Sequence, residues 1–279
     1  MTEPAIQLRD ASLSFGPRAL WSGLNLDIAP GEFLAVLGPN GSGKSTLLSV
    51  LLGQQRLSSG TVRVAARDAA VRGVRGGLAP RGMGYIPQQG VVDFPHTLRG
   101  IDLVGLGLDG HRWGLGFRGA AERRRRVAEA IEAVGAESFA HRPLALLSGG
   151  EQQRLRVAQA LVGEPAVLLC DEPLLSLDHV NQRAVSDLIE RRRTEAGTTV
   201  LFVTHEINPI LSYVDRVLYL VDGRFSIGST EEVMTSDTLS TLYRTDVDVV
   251  RIGGQIHVTG PHSAVCEDDP HHPHSGARP

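Results

Sequence analysis

The sequence predicts an α/β fold built on a mostly parallel core sheet. Segments typical of strands and of helices alternate through the second half of the chain, which indicates βαβ units. In the first half, the apolar run Phe33–Leu37 is short and ends at a glycine, as expected of a strand that is buried on both faces of a parallel sheet. A Gly-rich loop and a helical segment follow this run directly. Together these observations predict the fold class.

The N-terminal segments are separated by glycine and proline, which mark turns. Apolar and polar residues roughly alternate over Ile6–Phe15, and Gly16 and Pro17 end this first strand. The segments predicted next are a strand at 24–28, a helix at 45–52, a strand at 61–65, an Arg/Gly-rich loop at 67–82 and a strand at 84–87.

Between residues 88 and 161 the chain becomes helical in character. Three segments there, at 98–106, 120–134 and 150–161, carry helix formers with apolar residues spaced by about 3.6 positions. We therefore expect a helical insertion at about residues 89–161. The elements predicted after it are a strand at 166–170, a helix at 181–196, the strand Thr199–Val203, a helix at 207–214, the strand Arg216–Val221 and a hairpin at 247–258.

The last residues differ from the rest of the chain in composition. Pro, His, Asp and Ser dominate from Gly260 onward, which is typical of a flexible tail. The predicted hairpin before the tail turns at Gly253 and Gly254. We expect one domain over residues 1–259 and a His-rich tail over residues 260–279.

Composition excludes several classes of protein. A formal net charge of −3 argues against a surface built wholly for nucleic acid. The two cysteines cannot form a disulfide scaffold and suit a reducing compartment, and no apolar stretch approaches the roughly 20 residues of a membrane helix. The chain has 27 arginines but a single lysine, Lys44. A lysine retained against such a bias indicates a specific role.

A phosphate-binding loop is predicted between the strand Phe33–Leu37 and the helix after it. Its pattern is Gly, four residues, then Gly-Lys-Ser/Thr, which lets backbone N–H groups surround a polyphosphate at a helix N-terminus. Lys44 would reach the β- and γ-phosphates, and the Ser45 hydroxyl would bind Mg²⁺. The loop residues are Gly38, Pro39, Asn40, Gly41, Ser42, Gly43, Lys44, Ser45 and Thr46.

Two carboxylates follow the apolar strand predicted at 166–170. In phosphate-loop proteins, an acid at such a strand end contacts the Mg²⁺ shell, and a second acid can polarise the attacking water. We assign Asp171 to the metal and Glu172 to the water, directly before Pro173.

A further motif lies just upstream of that strand, in the run Leu-Ser-Gly-Gly-Glu-Gln-Gln-Arg at residues 147–154. It resembles the signature motif of ABC-type ATPases, which separates them from other phosphate-loop NTPases. Ser148, Gly149 and Gly150 would open a helix whose N–H groups hold a γ-phosphate bound by another subunit. The resemblance covers roughly residues 5–258 and implies an antiparallel β subdomain and an inserted helical subdomain beside the core sheet.

The family's other short motifs match single positions. Gln88 is similar to the Q-loop glutamine, whose amide would touch Mg²⁺ or water. Asp178 is similar to the D-loop aspartate, which crosses a dimer interface in the family. His205 resembles the switch histidine that hydrogen-bonds the γ-phosphate. Phe15 stands where the family often has an aromatic residue on adenine, although core packing is an alternative role for it.

The resemblance implies ATP hydrolysis with ATP and Mg²⁺. A single ATPase module without membrane spans is similar to the separate nucleotide-binding subunit of a bacterial ABC transporter. Its implied partners are a second copy of itself, an integral-membrane permease and, indirectly, an extracytoplasmic solute-binding protein, with no nucleic acid. The implied location is peripheral, on the cytoplasmic face of the cell membrane.

The cargo is predicted from two weaker features. The segment Asp-Phe-Pro-His-Thr-Leu at residues 93–98 resembles an element of zinc, manganese or iron importer ATPases, although it follows Gln88 about two residues early. The tail carries His262, His271, His272 and His274 with Cys266 and three acids, and His257 precedes it. These are ligands of zinc and similar ions. Zinc-importer ATPases resemble this chain in having such a tail, but a polar tail without a ligand is the alternative.

We therefore expect an importer of a divalent metal ion, with zinc as the leading choice. The same fold would equally serve a siderophore or other small-solute importer. A soluble ABC protein acting on nucleic acid or ribosomes usually has two modules or a long coiled-coil insertion, and the acidic balance also disfavours it. A metal sensor without ATPase activity is disfavoured by Glu172 and His205.

Overall fold

The computed structural model describes residues 3–65, 82–88, 97–109 and 120–260. The strands in these ranges are β1 (Ile6–Phe15), β2 (Arg18–Ile28), β3 (Phe33–Leu37), β4 (Ser59–Val64), β5 (Met83–Ile86), β6 (Val167–Asp171), β7 (Thr199–Val203), β8 (Arg216–Val221), β9 (Arg224–Gly228), β10 (Asp248–Ile252) and β11 (Gln255–Thr259). The helices are α1 (Lys44–Leu51), α2 (Gly100–Asp109), α3 (Ala120–Ala133), α4 (Gly149–Leu161), α5 (His179–Ala196), α6 (Thr230–Val233) and α7 (Ser236–Tyr243).

A six-stranded sheet forms the centre of the fold, in the order β5-β6-β7-β3-β8-β9. Its strands pair in parallel except at the edge, where β9 runs antiparallel to β8. A second sheet, β2-β1-β4, is antiparallel, and β10 and β11 form a separate hairpin. The predicted α/β fold with a mostly parallel core sheet and an antiparallel β layer is confirmed.

Strand β3 is apolar throughout because both faces of the central sheet are covered. Phe33 contributes to one hydrophobic core, where its ring stacks on Phe202 with 5.6 Å between centroids. Leu34 and Val36 contribute to a second core, shared with the antiparallel sheet and α1. Helices α2 to α5 pack on the Phe33 side. Five consecutive buried side chains are the expected result.

The predicted helix at 207–214 is wrong. Only a 3-10 turn, Asn208–Ile210, forms there, and the backbone N–H of Tyr213 bonds to the Ile210 carbonyl in a further three-residue turn. Ile207 and Ile210, both buried, are three positions apart. A 3-10 turn stacks such residues on one side, so the segment buries both without a full helix.

The hairpin turning at Gly253 and Gly254 is confirmed, whereas β9, α6 and α7 were not predicted. Most of the loop 67–82, residues 93–96 of the importer-like element and the tail from 261 lie outside the described residues. Within the described ranges, no helix combines the length and apolarity needed to cross a membrane.

Candidate functional site

The predicted phosphate loop connects the end of β3 to the start of α1. Gly38 has a φ of 140°, and a Cβ placed on it would lie 2.1 Å from the carbonyl oxygen of Leu220 in β8. Gly43 caps α1 with a φ of 96°. Both positions need glycine, because an L side chain is strained at these angles and at Gly38 would collide with backbone. The first N–H groups of α1, which have no partner inside the helix, therefore open onto the loop.

Lys44 is the first residue of α1, and its side chain is folded into the loop. Its Nζ donates to the carbonyl oxygens of Gly38 at 2.7 Å and Pro39 at 3.0 Å. Burial lowers the pKa of Lys44, while Glu172 and Asp171 act in the opposite direction. The hydroxyl of Ser42 is also buried, with no hydrogen-bond partner within the part of the chain that the structure describes. Such a loop fits an anion with several oxygen atoms.

Two oxygen ligands meet beside the loop. The Ser45 Oγ donates to Oδ1 of Asp171 at 2.9 Å, which joins the start of α1 to the end of β6. Burial raises the pKa of Asp171, Glu172 adds to the rise, and the Ser45 hydrogen bond and Lys44 oppose it. A hydroxyl and a carboxylate in this position suit a hard divalent cation such as Mg²⁺.

Glu172 and His205 form a close pair at the ends of neighbouring strands. The Glu172 backbone N–H donates to the Val203 carbonyl at 3.0 Å, which ties the end of β6 to the end of β7. The Glu172 φ of 49° lies in the left-handed region. Its Oε2 then lies 2.6 Å from the His205 Nδ1. The hydrogen bond from Glu172 raises the pKa of His205, against the opposing effect of burial.

One cleft brings half of the predicted site residues together, since nine of the eighteen line it. Phe15 lies at its edge and is 52% exposed, which excludes core packing for this side chain. The cleft is lined by Phe15, Leu20, Asn40, Gly41, Gly43, Lys44, Ser45, Thr46, Gln88 and Glu172.

The signature residues are not among those lining this cleft. Ser148 caps α4, its hydroxyl accepting from the Glu151 backbone N–H while the Glu151 carboxylate accepts from the Ser148 N–H. Gly150 lies against Ser176 and Leu177, just before Asp178. The Asp178 carboxylate caps α5 by accepting from the Asn181 backbone N–H at 2.8 Å. The two motifs thus meet each other, and neither lines the cleft around the phosphate loop of the same chain.

Two contacts at the cleft had no clear signal in the sequence. Leu20 of β2 forms part of the wall, and Arg18 donates from Nη2 to the Gly41 carbonyl at 3.3 Å. Both residues belong to a strand that was predicted to begin only at residue 24. A longer predicted β2 would have placed them beside Phe15, because Arg18 pairs with Phe15 in the register of β1 and β2.

The ABC transporter family model matches residues 21–175 of this chain. The hemin import ATP-binding protein HmuV of Bradyrhizobium diazoefficiens is 38% identical, and the match covers 91% of this chain and 93% of that protein. The manganese transport system ATP-binding protein MntB of Bacillus subtilis is 31% identical, with 85% and 92% covered.

Solved structures show the same similarity. An inward-facing putative metal-chelate type ABC transporter matches with a TM-score of 0.74 and 26% identity, covering 92% of this chain and 96% of that chain. The dimeric ATP-binding cassette MJ0796 bound to ADP and Pi matches with a TM-score of 0.70 and 28% identity, covering 80% and 98%. These matches show that the chain belongs to the ABC transporter family, as an ATP-binding subunit that hydrolyses ATP.

Proposed function

We propose that this chain is the ATPase subunit of an importer whose cargo is a metal chelate of the hemin kind. The observation that carries the ATPase part is the single cleft in which Lys44, Ser45 and Glu172 meet. The cargo is proposed from the match to HmuV, a hemin import protein, over nearly the whole of both chains.

The loop residues 38–46 are proposed to hold the ATP phosphates. Lys44 supplies a compact positive charge at the β- and γ-phosphates, and the hydroxyl of Ser42 has no other partner within the described ranges. Phe15 would stack on adenine with its exposed ring. Ser45, Asp171 and Gln88 would hold Mg²⁺, which supplies charge neutralisation between the phosphates when bound.

Glu172 is proposed as the general base for the attacking water. Its carboxylate is almost fully buried in the cleft yet reaches His205, and the 2.6 Å contact fixes its orientation. The His205 ring would hydrogen-bond the γ-phosphate, and the Gln88 amide would contact the bound ion or water. A base that is held in one position raises the reaction rate, because the orientation needed for proton transfer is present before the reaction begins.

The second ATP-binding surface is proposed to act in trans. Ser148 caps α4, which begins at Gly149 and Gly150, and none of the three lines the cleft around the chain's own phosphate loop. Two copies would close over two ATP molecules, with the MJ0796 dimer as the comparable arrangement. Residues 1–259 would form the ATPase domain, with the helical subdomain at about 89–161 contacting a permease at the cytoplasmic face of the membrane. A solute-binding protein would deliver the cargo from outside.

A divalent metal ion is the second candidate cargo. MntB, a manganese transport protein, is 31% identical, and the His-rich tail carries metal-ligand side chains. Zinc, the first choice from the sequence, has its support only in that tail and in the importer-like element.

Uptake measurements separate these cargoes. We expect a strain lacking this chain to lose hemin uptake, and a Glu172→Gln copy not to restore it. The same cells are tested with labelled manganese and zinc. Normal hemin uptake with lost manganese or zinc uptake would show that the cargo is the metal ion and not the chelate. Normal uptake of all three would contradict both proposed cargoes.

A further inference from the structure

The loop that follows His205 is fastened to the C-terminal hairpin by one amide side chain. The Asn208 Nδ2 donates to the Ile256 carbonyl at 3.0 Å, and the Ile256 backbone N–H donates to the Asn208 Oδ1 at 2.8 Å. The amide thus pairs with both polar backbone groups of one residue, as a neighbouring strand would. Both ends of the Asn208 side chain are satisfied by the same residue.

Ile256 is the point at which the hairpin docks. Its side chain is 4% exposed, whereas every other residue of β11 is exposed. Ile256 pairs with Arg251 of β10 in the hairpin register, and its own N–H and C=O bond to Asn208 on the other side. Ile256 is therefore both buried and doubly hydrogen-bonded to Asn208. A shift of the hairpin by one residue along the loop would break both interactions.

Only a short segment separates this contact from His205. The Thr204 Oγ1 donates to the Glu206 carbonyl at 2.9 Å and accepts from the Glu206 N–H at 3.1 Å, which closes a tight turn around His205. Ile207 is buried directly after this turn. A displacement of Asn208 would therefore be transmitted to the backbone that carries the His205 ring.

The His205 ring is held less firmly than the Asn208 side chain. The His205 side chain is 54% exposed, and its Nδ1 contacts Oε2 of Glu172. A half-exposed side chain at the end of a strand keeps its direction only if the backbone after the strand is fixed. The side of the loop toward β7 is fixed by the sheet, and the other side is fixed by Asn208.

We propose that Asn208 is a positioning residue for ATP hydrolysis: its bidentate contact with Ile256 uses the C-terminal hairpin to hold the loop of His205, and thereby the His205–Glu172 pair. This inference rests on the proposed role of His205, which contacts the cleft residue Glu172. Asn208 touches neither nucleotide nor water in this proposal, and acts only through the backbone of residues 205–208.

The test compares Asn208→Ala and Asn208→Asp in the full-length protein. The first removes both hydrogen bonds, and the second retains the acceptor but places an oxygen opposite the Ile256 carbonyl. We expect kcat for ATP hydrolysis to fall about tenfold in both, with KM for ATP changed less than about twofold, because the nucleotide contacts are intact. The NMR signals of the His205 ring should move in the direction that they take in Glu172→Gln.

Asn25→Ala is the matched control. The Asn25 amide likewise accepts from a backbone N–H, that of Asp10 at 2.9 Å, and donates to the Asp10 carboxylate at 3.1 Å, but it joins β1 to β2 in the antiparallel sheet. We expect this variant to retain wild-type kcat and His205 signals. An equal loss of kcat in Asn25→Ala would mean that lost stability, and not positioning, explains the effect.

His205→Ala separates failure of this inference from failure of the proposed site. If His205→Ala is inactive while both Asn208 variants retain kcat and His205 signals, the positioning role of Asn208 is overturned and the site stands. If His205→Ala hydrolyses ATP normally, the proposed role of His205 is overturned, and this inference falls with it.

Discussion

Oε2 of Glu172 lies 2.6 Å from Nδ1 of His205, although the two residues are 33 positions apart in the chain. The parallel strands β6 and β7 bring them together, because Asp171 pairs with Val203 in the register of the sheet. Each residue follows the carboxyl end of its strand, where α/β proteins place their ligands. Glu172 and His205 are therefore positioned by the same sheet that forms the core.

Glu172→Gln should abolish ATP hydrolysis and leave ATP binding intact. The amide is isosteric with the carboxylate but cannot accept the proton of the attacking water, and loss of a general base costs about 10²- to 10⁴-fold in rate. With ATP bound and not hydrolysed, two copies should remain closed. Steady-state hydrolysis, nucleotide binding and gel filtration in the presence of ATP measure the three effects.

The control for that variant is Glu122→Gln, which alters an exposed carboxylate on α3 that pairs with Arg125. It should hydrolyse ATP at the wild-type rate. Normal turnover in Glu172→Gln would remove Glu172 from the role of base.

The pKa of His205 should fall in Glu172→Gln. In the native pair the Glu172 hydrogen bond raises the pKa of His205 above its usual value of 6.5. A raised folded-state pKa means that the pair stabilises the protein fully at pH values below 6.5 and loses this contribution as pH rises through the folded-state pKa. An NMR titration of the nucleotide-free protein measures the pKa, and a His205 pKa that does not change on substitution would show that Glu172 does not cause the rise.

Lys44→Arg should abolish ATP hydrolysis even though the charge is retained. Nζ of Lys44 fits between two loop carbonyls at 2.7 and 3.0 Å, a space for a compact ammonium that a planar guanidinium does not fit. Arg56→Lys makes the reverse exchange at an exposed position and should leave the rate unchanged. Nucleotide binding and hydrolysis are measured for both, and an active Lys44→Arg would mean that charge alone is required.

Strand β3, the phosphate loop and the acid pair were predictable because each depends on local sequence. A doubly buried strand needs a continuous apolar run, and a loop around phosphate needs glycine at Gly38 and Gly43. The edge strand β9 also alternates polar and apolar residues, as Arg-Phe-Ser-Ile-Gly, but it was not predicted. The Asn208–Ile256 contact joins residues 48 positions apart, and no local pattern indicates which amide will bond to which strand.

The exposure of Phe15 is a further case that the sequence left open. An aromatic residue at the end of an alternating strand can pack in the core or contact a ligand. The strand pattern is the same in both cases, and only the groups that face the ring differ. In the structure Phe15 is the last residue of β1 and lines the same cleft as Gly41 and Gly43. Tertiary packing, not strand periodicity, decides between the two roles.

Deletion of residues 261–279 should leave ATP hydrolysis unchanged and weaken zinc binding. The cleft and the hairpin end before this segment, and four of the chain's ten histidines lie within it. Calorimetric titration of zinc compares the full chain, the shortened chain and a full chain with those four histidines replaced by alanine. Equal zinc binding in all three would leave the tail without a role as a ligand.

Gly38→Ala should destabilise the protein and weaken ATP binding together. Its Cβ would lie 2.1 Å from the Leu220 carbonyl oxygen of β8, so the loop or the strand must move. We expect a loss of about 3 kcal/mol in the free energy of unfolding, because a strained φ and an overpacked contact each cost about 1–3 kcal/mol. Gly23→Ala is the matched control: its φ of 66° is also left-handed, but nothing lies within 4 Å of its Cβ. It should lose only the cost of the backbone angle, about 1 kcal/mol. Chemical denaturation gives both values, and equal losses in the two variants would show that close packing against Leu220 does not determine the need for glycine at position 38.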